Sequence, residues 1–254
     1  RLNEEAHALL LIFHHIIFDG WSTDVLIQEL NSLYSSYEKK QTSNLPELLV
    51  QYSDFTLWQK TWLKGDVLNN QLLYWKRKLH RAPYLKLTNK TRPKRPSYQG
   101  KLFSQVMSKP LLDQLNRFSK RENVTLFVVL LAAFNATLYK LSNQTDLVIG
   151  TSIANRRIEE AEKMIGFFIN AIVLRTDCSG NPSFEELVSR AERVTIESYE
   201  NQDVPFAQVV DYLNIPRDLS KHPLFQINFV LQNTRGAILK LADLDTEFIK
   251  EPER

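Results

Sequence analysis

The chain has 254 residues, of which 43% are hydrophobic and 24% are charged, and its formal net charge is +3. These values are ordinary for a globular protein with a sizeable core, and the charge is too small to indicate a nucleic-acid partner. No apolar run reaches the roughly 18 residues that a membrane span needs. Cys178 is the only cysteine, which excludes an internal disulfide and favours a reducing compartment such as the cytoplasm.

The first elements in chain order are a strand and a set of helices. Residues 6–13 form a short, continuous apolar run that predicts a buried strand. The spacing of apolar residues predicts a helix over 23–38, with Ser22 or Thr23 as its N-cap. Residues 52–80 repeat the helical spacing, and Gly65 divides them into two helices.

A connection rich in proline, lysine and arginine follows over residues 81–100. Its densest basic run covers 90–96, and no aromatic platform is interleaved with it. This composition is typical of a solvated linker between two lobes, not of a nucleic-acid surface.

Helices and strands alternate in the rest of the chain. The predicted elements are a helix over 110–121, a long apolar helix from its cap Thr125 to about Leu141, strands over 146–151 and 167–176, a helix opened by a capping box at Ser183 and Glu186, and a half-buried strand over 224–232. The mixture predicts an α/β (α+β) class in two lobes. We expect residues 1–95 to belong to the first lobe and residues 96–254 to the second.

Residues 14–20 read HHIIFDG and contain the most specific local pattern of the chain. Neighbouring residues on a strand face opposite sides, so one histidine is expected to point into a cleft and the other into the fold. A neutral imidazole in a cleft can accept a proton from an attacking amine or hydroxyl. Asp19 is placed to fix the loop, and Gly20 allows a tight or positive-φ turn into the helix.

Other interpretations of the histidine pair stay open from the residues alone. The pair is compatible with a purely structural role. A metal site lacks a third ligand at useful spacing, because the remaining histidines are scattered along the chain. A catalytic Ser-His-Asp triad is not supported, since no Gly-x-Ser-x-Gly turn is present.

The pattern resembles the His-His-x-x-x-Asp-Gly signature of the condensation-domain superfamily, which includes chloramphenicol acetyltransferase-like enzymes. Four further segments resemble family motifs in the order the family uses: YSDFTLWQ over 52–59, IGFFIN over 165–170 running on to Leu174-Arg175, NQDVPF over 201–206, and RDLSKHPLF over 217–225. Together the motifs extend over residues 6–233. The sequence is therefore similar to a condensation domain of a nonribosomal peptide synthetase.

This resemblance implies a two-lobed chloramphenicol acetyltransferase-like fold with an active-site channel between the lobes. It implies that the domain joins a donor acyl or peptidyl thioester to an acceptor aminoacyl thioester by an amide bond. Both substrates would arrive on the phosphopantetheine arms of upstream and downstream peptidyl carrier domains. An adenylation domain would adjoin it in the same polypeptide. No cofactor or metal bound by the domain itself is expected, nor any nucleic-acid or membrane partner.

The resemblance also distributes roles among the candidate residues. His15 is the expected catalytic residue, as a general base or as a group that positions the acceptor amine. His14 is expected to pack inside, and Asp19 and Gly20 to support the loop. Asn170 is a candidate for the substrate channel.

Two upstream family motifs have no counterpart here, so we expect a fold that is incomplete at both ends and a fragment that is inactive and poorly soluble alone. One of those motifs carries the arginine expected to pair with Asp19. An epimerization or ester-forming member of the superfamily, an acyltransferase that uses coenzyme A, and a non-catalytic docking fragment stay open as alternatives.

Overall fold

A computed structural model describes residues 1–87, 99–216, 218, 220–232 and 236–249. The predicted basic run and Arg217 lie outside these residues. Within them the chain forms eight helices and two strands: α1 Gly20–Glu38, α2 Tyr52–Trp62, α3 Gly65–Lys78, α4 Lys109–Arg121, α5 Leu126–Ser142, β1 Asp146–Ile153, α6 Glu159–Glu162, β2 Asn170–Asp177, α7 Phe184–Glu200 and α8 Phe206–Tyr212. The predicted mixture of helices and strands is confirmed.

The elements group into two compact units that interleave along the chain. The first unit comprises Arg1–Gln59, Arg156–Ile169 and the described part of 233–250. The second comprises Lys60–Asn155 and the described part of 170–232. The predicted lobe division at residue 95 stays a prediction.

The core of the second unit is a two-stranded antiparallel sheet covered by helices. β1 pairs with β2 so that Asp146 lies opposite Asp177 and Ile153 opposite Asn170. Helix α7 packs on β2 and on α5. Most residues of both strands are buried, and burying such aliphatic side chains stabilises a fold by about 1.5–3 kcal/mol each.

Helix α5 is apolar on nearly all sides, which suits a helix that is surrounded by protein. Val129, Leu131 and Ala132 are fully buried in it. Among the described residues, no single helix is long and apolar enough to cross a membrane. Helices α4 and α5 meet that criterion only when taken together, across a bend of 106°.

Predicted capping residues begin two of the helices. Thr125 accepts a hydrogen bond from the Val128 amide at the start of α5, and Ser183 accepts one from the Glu186 amide at the start of α7. Each side chain satisfies a backbone donor that has no partner within the helix. The reciprocal half of the capping box is not formed, since the Glu186 carboxylate binds Arg190 instead.

The helical pattern over 52–80 divides at Gly65, as predicted. This glycine has φ of +54°, a conformation that costs other residues free energy. Of the four tryptophans, Trp75 is 2% exposed and donates to the Asn201 carbonyl, whereas Trp58 and Trp62 are exposed. The sequence pattern located the helices correctly but did not distinguish their buried sides.

The predicted buried strand over 6–13 is wrong. Leu10 is 78% exposed and Ile12 is 81% exposed, and no strand ladder includes residues 6–13 among the described residues. An apolar run indicates a tendency to be buried, but it cannot provide the neighbouring strands that bury it. The exposed run is apolar surface of the kind that promotes association.

Two other strand predictions need adjustment. The strand expected over 167–176 begins only at Asn170. The strand expected over 224–232 forms a single parallel bridge, between Asn228 and Gly150. The residues on either side of Asn228 also bind β1. The Gly150 amide donates to the Ile227 carbonyl, and the Phe229 amide donates to the Gly150 carbonyl.

We predict that Gly150→Ala destabilises the second unit. A Cβ atom at residue 150 would lie 2.3 Å from the Phe225 ring, so either the ring or the strand has to move. Overpacking of this kind costs about 1–3 kcal/mol in the free energy of unfolding, measurable by urea denaturation. Gly100→Ala is the matched control, because its Cβ meets nothing within 4 Å. Equal stability of the two variants would contradict the prediction.

Candidate active site

The two adjacent histidines lie in a turn between the exposed segment and helix α1. The Ile17 amide donates to the His14 carbonyl at 3.1 Å and closes the turn. Nδ1 of His15 lies 2.7 Å from the Phe18 carbonyl oxygen. A carbonyl oxygen can only accept, so Nδ1 carries the proton in this hydrogen bond. In the neutral ring, Nε2 is then the basic nitrogen.

The imidazole of His15 has a second contact in the first unit. Its ring meets the Phe167 ring edge to face, with 5.2 Å between ring centroids and 88° between planes. Edge-to-face contact is one of the favoured geometries of aromatic pairs, so this contact restrains the plane of the imidazole ring. The side chain is otherwise exposed. His15 is therefore accessible to a substrate while its ring is held from two sides.

His14 is not placed as the sequence predicted. Its side chain is exposed instead of packed inside, and its Nδ1 accepts a hydrogen bond from the Ile16 amide at 3.1 Å. The prediction assumed that a strand would send adjacent side chains to opposite faces. A turn replaces the strand at this point, so that alternation does not apply.

Asp19 is the N-cap of helix α1, a position predicted for Ser22 or Thr23. Its Oδ1 accepts hydrogen bonds from the Ser22 amide at 2.9 Å and the Ser22 hydroxyl at 2.8 Å, while its Oδ2 accepts from the Phe168 amide at 3.0 Å. One carboxylate thus begins the helix and also fixes the distant segment that carries Phe168. These contacts are what a role in fixing the loop requires, and that role of Asp19 stays a prediction.

The charge of Asp19 is paired with Arg156, although the sequence placed its arginine partner outside the chain. The guanidinium lies 3.0 Å from Asp19 Oδ1, and the two side chains are 1% and 3% exposed. The same guanidinium donates to the carbonyl oxygens of Ala161 and Met164 and lies against the Phe168 ring. The two partners are 137 positions apart, and no spacing rule connects them.

These contacts determine the ionisation of the pair. Burial raises the pKa of Asp19, but the hydrogen bonds from Ser22 and Phe168 and the charge of Arg156 outweigh it and hold that pKa below its ordinary value. Burial lowers the pKa of Arg156, and the Asp19 carboxylate opposes this shift. At neutral pH the site therefore contains a charged, hydrogen-bonded ion pair.

Ser22 and Tyr52 complete this arrangement, and sequence reasoning missed both roles. The Ser22 hydroxyl accepts from the Gly166 amide at 3.0 Å and lies 2.9 Å from the Gly166 carbonyl oxygen. The Tyr52 hydroxyl donates to the Phe167 carbonyl at 2.7 Å. The sequence signal that could have indicated these contacts was the presence of three family motifs in one chain, around residues 14–22, 52–59 and 165–170.

Gly20 does not adopt positive φ, which was one of the two conformations predicted for it, while the tight turn into the helix stays a prediction. It is the first residue of α1, and it is not among the residues with positive φ. A Cβ atom at this position would meet nothing within 4 Å. Neither the backbone nor the packing therefore explains the glycine.

Asn170 lies in the second unit, at the start of β2. Its Nδ2 donates to the carbonyl oxygens of Gln202 and Val204, and its Oδ1 accepts from the amides of Ala171 and Phe206. The amide group has no hydrogen-bonding capacity left for a substrate. The geometry favours a role in holding the 202–206 turn, and the channel role stays a prediction.

The family model of the condensation domain matches residues 1–252. The chain belongs to the condensation-domain family of nonribosomal peptide synthetases. It is 46% identical over 235 residues to a linear gramicidin synthase of Brevibacillus parabrevis and 42% identical over 251 residues to nonribosomal peptide synthetase TES of Alternaria alternata. The matches cover 92% and 97% of this chain but 5% of each relative.

Solved structures agree with the fold of a condensation domain. The X-domain from teicoplanin biosynthesis superposes with a TM-score of 0.80 at 25% identity, covering 94% of this chain and 56% of that one. A four-domain nonribosomal peptide synthetase bound to AMP and glycine superposes with a TM-score of 0.73 at 25% identity, covering 88% of this chain and 17% of that one. The resemblance in sequence is thereby confirmed for family and fold.

We predict that Asp19→Ala destabilises the condensation domain. The substitution leaves the Arg156 charge buried without its carboxylate, which costs about 3–5 kcal/mol in the free energy of unfolding. Asp113→Ala is the control, because its ion pair with Lys109 is exposed and contributes about 0–1 kcal/mol. Thermal melting of both variants is the measurement. An unchanged melting temperature for Asp19→Ala would contradict a stabilising role.

The lowered pKa of Asp19 also predicts a pH dependence. A group whose pKa is lower in the folded state stabilises that state above its unfolded pKa, and this contribution disappears as pH falls through the folded pKa. We expect the stability advantage of the wild type over Asp19→Asn to shrink as the pH falls below the ordinary aspartate pKa of about 4. Urea denaturation at several pH values tests this, and a constant difference would refute it.

Proposed function

We propose that this condensation domain joins a donor acyl or peptidyl thioester to an acceptor aminoacyl thioester. The acceptor amine attacks the donor carbonyl, a C–N bond forms, the C–S bond breaks, and the donor arm leaves as a thiol with the proton that the amine gives up. The family membership supports this reaction, and so does the complete His-His-x-x-x-Asp-Gly pattern over 14–20.

His15 is the proposed catalytic residue, and one observation carries this assignment. The hydrogen bond from Nδ1 to the Phe18 carbonyl leaves Nε2 as the basic nitrogen of an exposed ring, and no partner for Nε2 occurs among the described residues. A nitrogen in that state can accept the proton of the attacking amine. General-base action of this kind contributes about 10²–10⁴ to a rate. A hydrogen bond to the amine would also orient it for attack, and orientation alone can contribute substantially.

The other predicted site residues support His15 in this proposal. Asp19 keeps the turn and helix α1 in place through its buried pair with Arg156. His14 and Gly20 belong to the same turn and make no proposed contact with substrate. Asn170 holds the 202–206 turn in the second unit, with the substrate channel as its untested alternative.

The proposal includes the partners that supply the thioesters. Upstream and downstream peptidyl carrier domains would bring both substrates on phosphopantetheine arms, with an adenylation domain in the same cytoplasmic polypeptide. Two observations support these partners. The chain covers 5% of the length of the two synthetase relatives named above, and it superposes on part of a four-domain synthetase. The domain itself would bind no metal or cofactor.

A docking function is the second candidate. The X-domain from teicoplanin biosynthesis, which is 27% identical to this chain and superposes with a TM-score of 0.74, has been solved as a complex with OxyB. A condensation fold can therefore serve as a binding partner in that system. Loss of product in a His15 variant separates catalysis from docking. An acceptor that carries a hydroxyl in place of the amine tests for the ester-forming alternative.

We expect His15→Ala, in the synthetase polypeptide that carries this domain, to lower the condensation rate by about 10²–10⁴, the contribution of a general base. The exposed ring makes no buried contact, so the melting temperature should stay near that of the wild type. Formation of the dipeptidyl carrier, followed by mass spectrometry, is the measurement.

His80→Ala is the matched control, because His80 is also exposed and lies outside the turn. It should condense at the wild-type rate. An unchanged rate in His15→Ala would remove His15 from catalysis, and unchanged binding of a partner protein with no product in either variant would favour docking.

A further inference from the structure

The motifs that the proposed reaction does not use include the segment that begins at Tyr52 and the segment around Gly166 and Phe167. The second segment runs between α6 and β2 and contains neither helix nor strand from 165 to 169. Its Phe167 nevertheless contacts the His15 ring. Because no secondary structure orients Phe167, other groups have to fix its position.

The backbone on both sides of Phe167 is held by helix α1. The Gly166 amide donates to the Ser22 hydroxyl, and the Phe168 amide donates to Asp19 Oδ2, each at 3.0 Å. The peptide carbonyl of Phe167 itself is held by a different element, because the Tyr52 hydroxyl donates to it at 2.7 Å. Tyr52 thus controls the peptide that carries the ring in contact with His15.

The position of Tyr52 is itself well determined. Its ring meets the Phe168 ring at 5.0 Å and 73°, and it covers Gly166 so closely that a Cβ atom there would lie 2.4 Å from Tyr52 Cδ2. Burial and the Asp19 charge raise the pKa of Tyr52, so the phenol keeps the proton that it donates. The glycine in this segment is explained by the tyrosine packed on it.

We propose that Tyr52 is a positioning residue for His15 and acts through Phe167. The inference rests on the proposed catalytic role of His15. The Phe18 carbonyl fixes one nitrogen of the imidazole, and the edge-to-face contact with Phe167 fixes the plane of the ring. Tyr52 sets that plane by holding the Phe167 peptide. The basic nitrogen of His15 then points in one direction before substrate arrives.

Two variants separate positioning from simple stabilisation. Tyr52→Phe keeps the ring that packs on Gly166 and Phe168 and removes only the hydroxyl. Phe167→Leu removes the ring on His15 and leaves the Tyr52 hydrogen bond to the backbone in place. Tyr37→Phe is the control, since Tyr37 is a highly exposed tyrosine in the same unit. All three are made in the synthetase polypeptide.

The first measurement follows the imidazole directly and needs no activity. Diethyl pyrocarbonate acylates unprotonated imidazole nitrogens, and mass spectrometry of the digested protein gives the rate at His15 relative to the exposed His80. A ring held by both the Phe18 carbonyl and Phe167 offers only Nε2, whereas a ring without the Phe167 contact can also turn away from the Phe18 carbonyl and offer both nitrogens. We expect this ratio to rise by up to about twofold in Tyr52→Phe and in Phe167→Leu, because the reagent then has two nitrogens to attack instead of one.

The second measurement is the condensation rate. We expect kcat to fall by about threefold to tenfold in both variants, with KM for each carrier substrate unchanged, because the contacts orient a catalytic group and bind no substrate. Tyr37→Phe should match the wild type in both measurements. These combined results would support the proposal.

The remaining outcomes are decisive as well. An unchanged acylation ratio in both variants overturns the positioning role, whatever the rate does. A raised ratio in Tyr52→Phe alone overturns the path through Phe167. A raised ratio in both variants with an unchanged condensation rate supports positioning but removes His15 from catalysis, and so refutes the proposed function instead.

Discussion

The buried pair of Asp19 and Arg156 is the interaction on which the first unit depends. Each of its side chains is almost fully buried, and burying an unpaired charge costs several kcal/mol. The pair is tolerated because every carboxylate oxygen receives hydrogen bonds and the guanidinium also binds the carbonyl oxygens of Ala161 and Met164. It therefore joins the start of helix α1 to the segment Arg156–Ile169.

The position of His15 follows from that pair. Asp19 comes four residues after His15, so fixing the first turn of α1 also fixes the end of the loop that holds the Phe18 carbonyl. The partner segment carries Phe167, whose ring contacts the imidazole from another side. The ion pair thus holds together the two segments that provide both contacts of the proposed catalytic ring. This explains how a side chain on an exposed turn can have a defined orientation.

The second unit is stabilised by apolar packing and by the hydrogen bonds of amide side chains. Its strands and the helices α5 and α7 form an apolar core, and polar side chains fix the turn that follows α7. Gln71 accepts from the amides of Asp203 and Val204, and Asn170 binds the same turn through both ends of its amide. Buried amides are costly unless they are paired, so these side chains specify one conformation of the turn. The family motif over 201–206 is explained by this local hydrogen bonding.

The sequence by itself determined the elements whose signals are local: the helix caps Thr125 and Ser183, the break at Gly65, the buried strand β1 and the histidine pattern with its family. Periodicity and capping act within a few residues, so they can be read from the chain. Only the tertiary structure decided which arginine neutralises Asp19, that residues 6–13 are exposed, and that Tyr52 and Phe167 meet the site. The ion pair and the Tyr52 contact join residues more than a hundred positions apart, which no local pattern encodes, and the exposure of residues 6–13 depends on which elements pack against them.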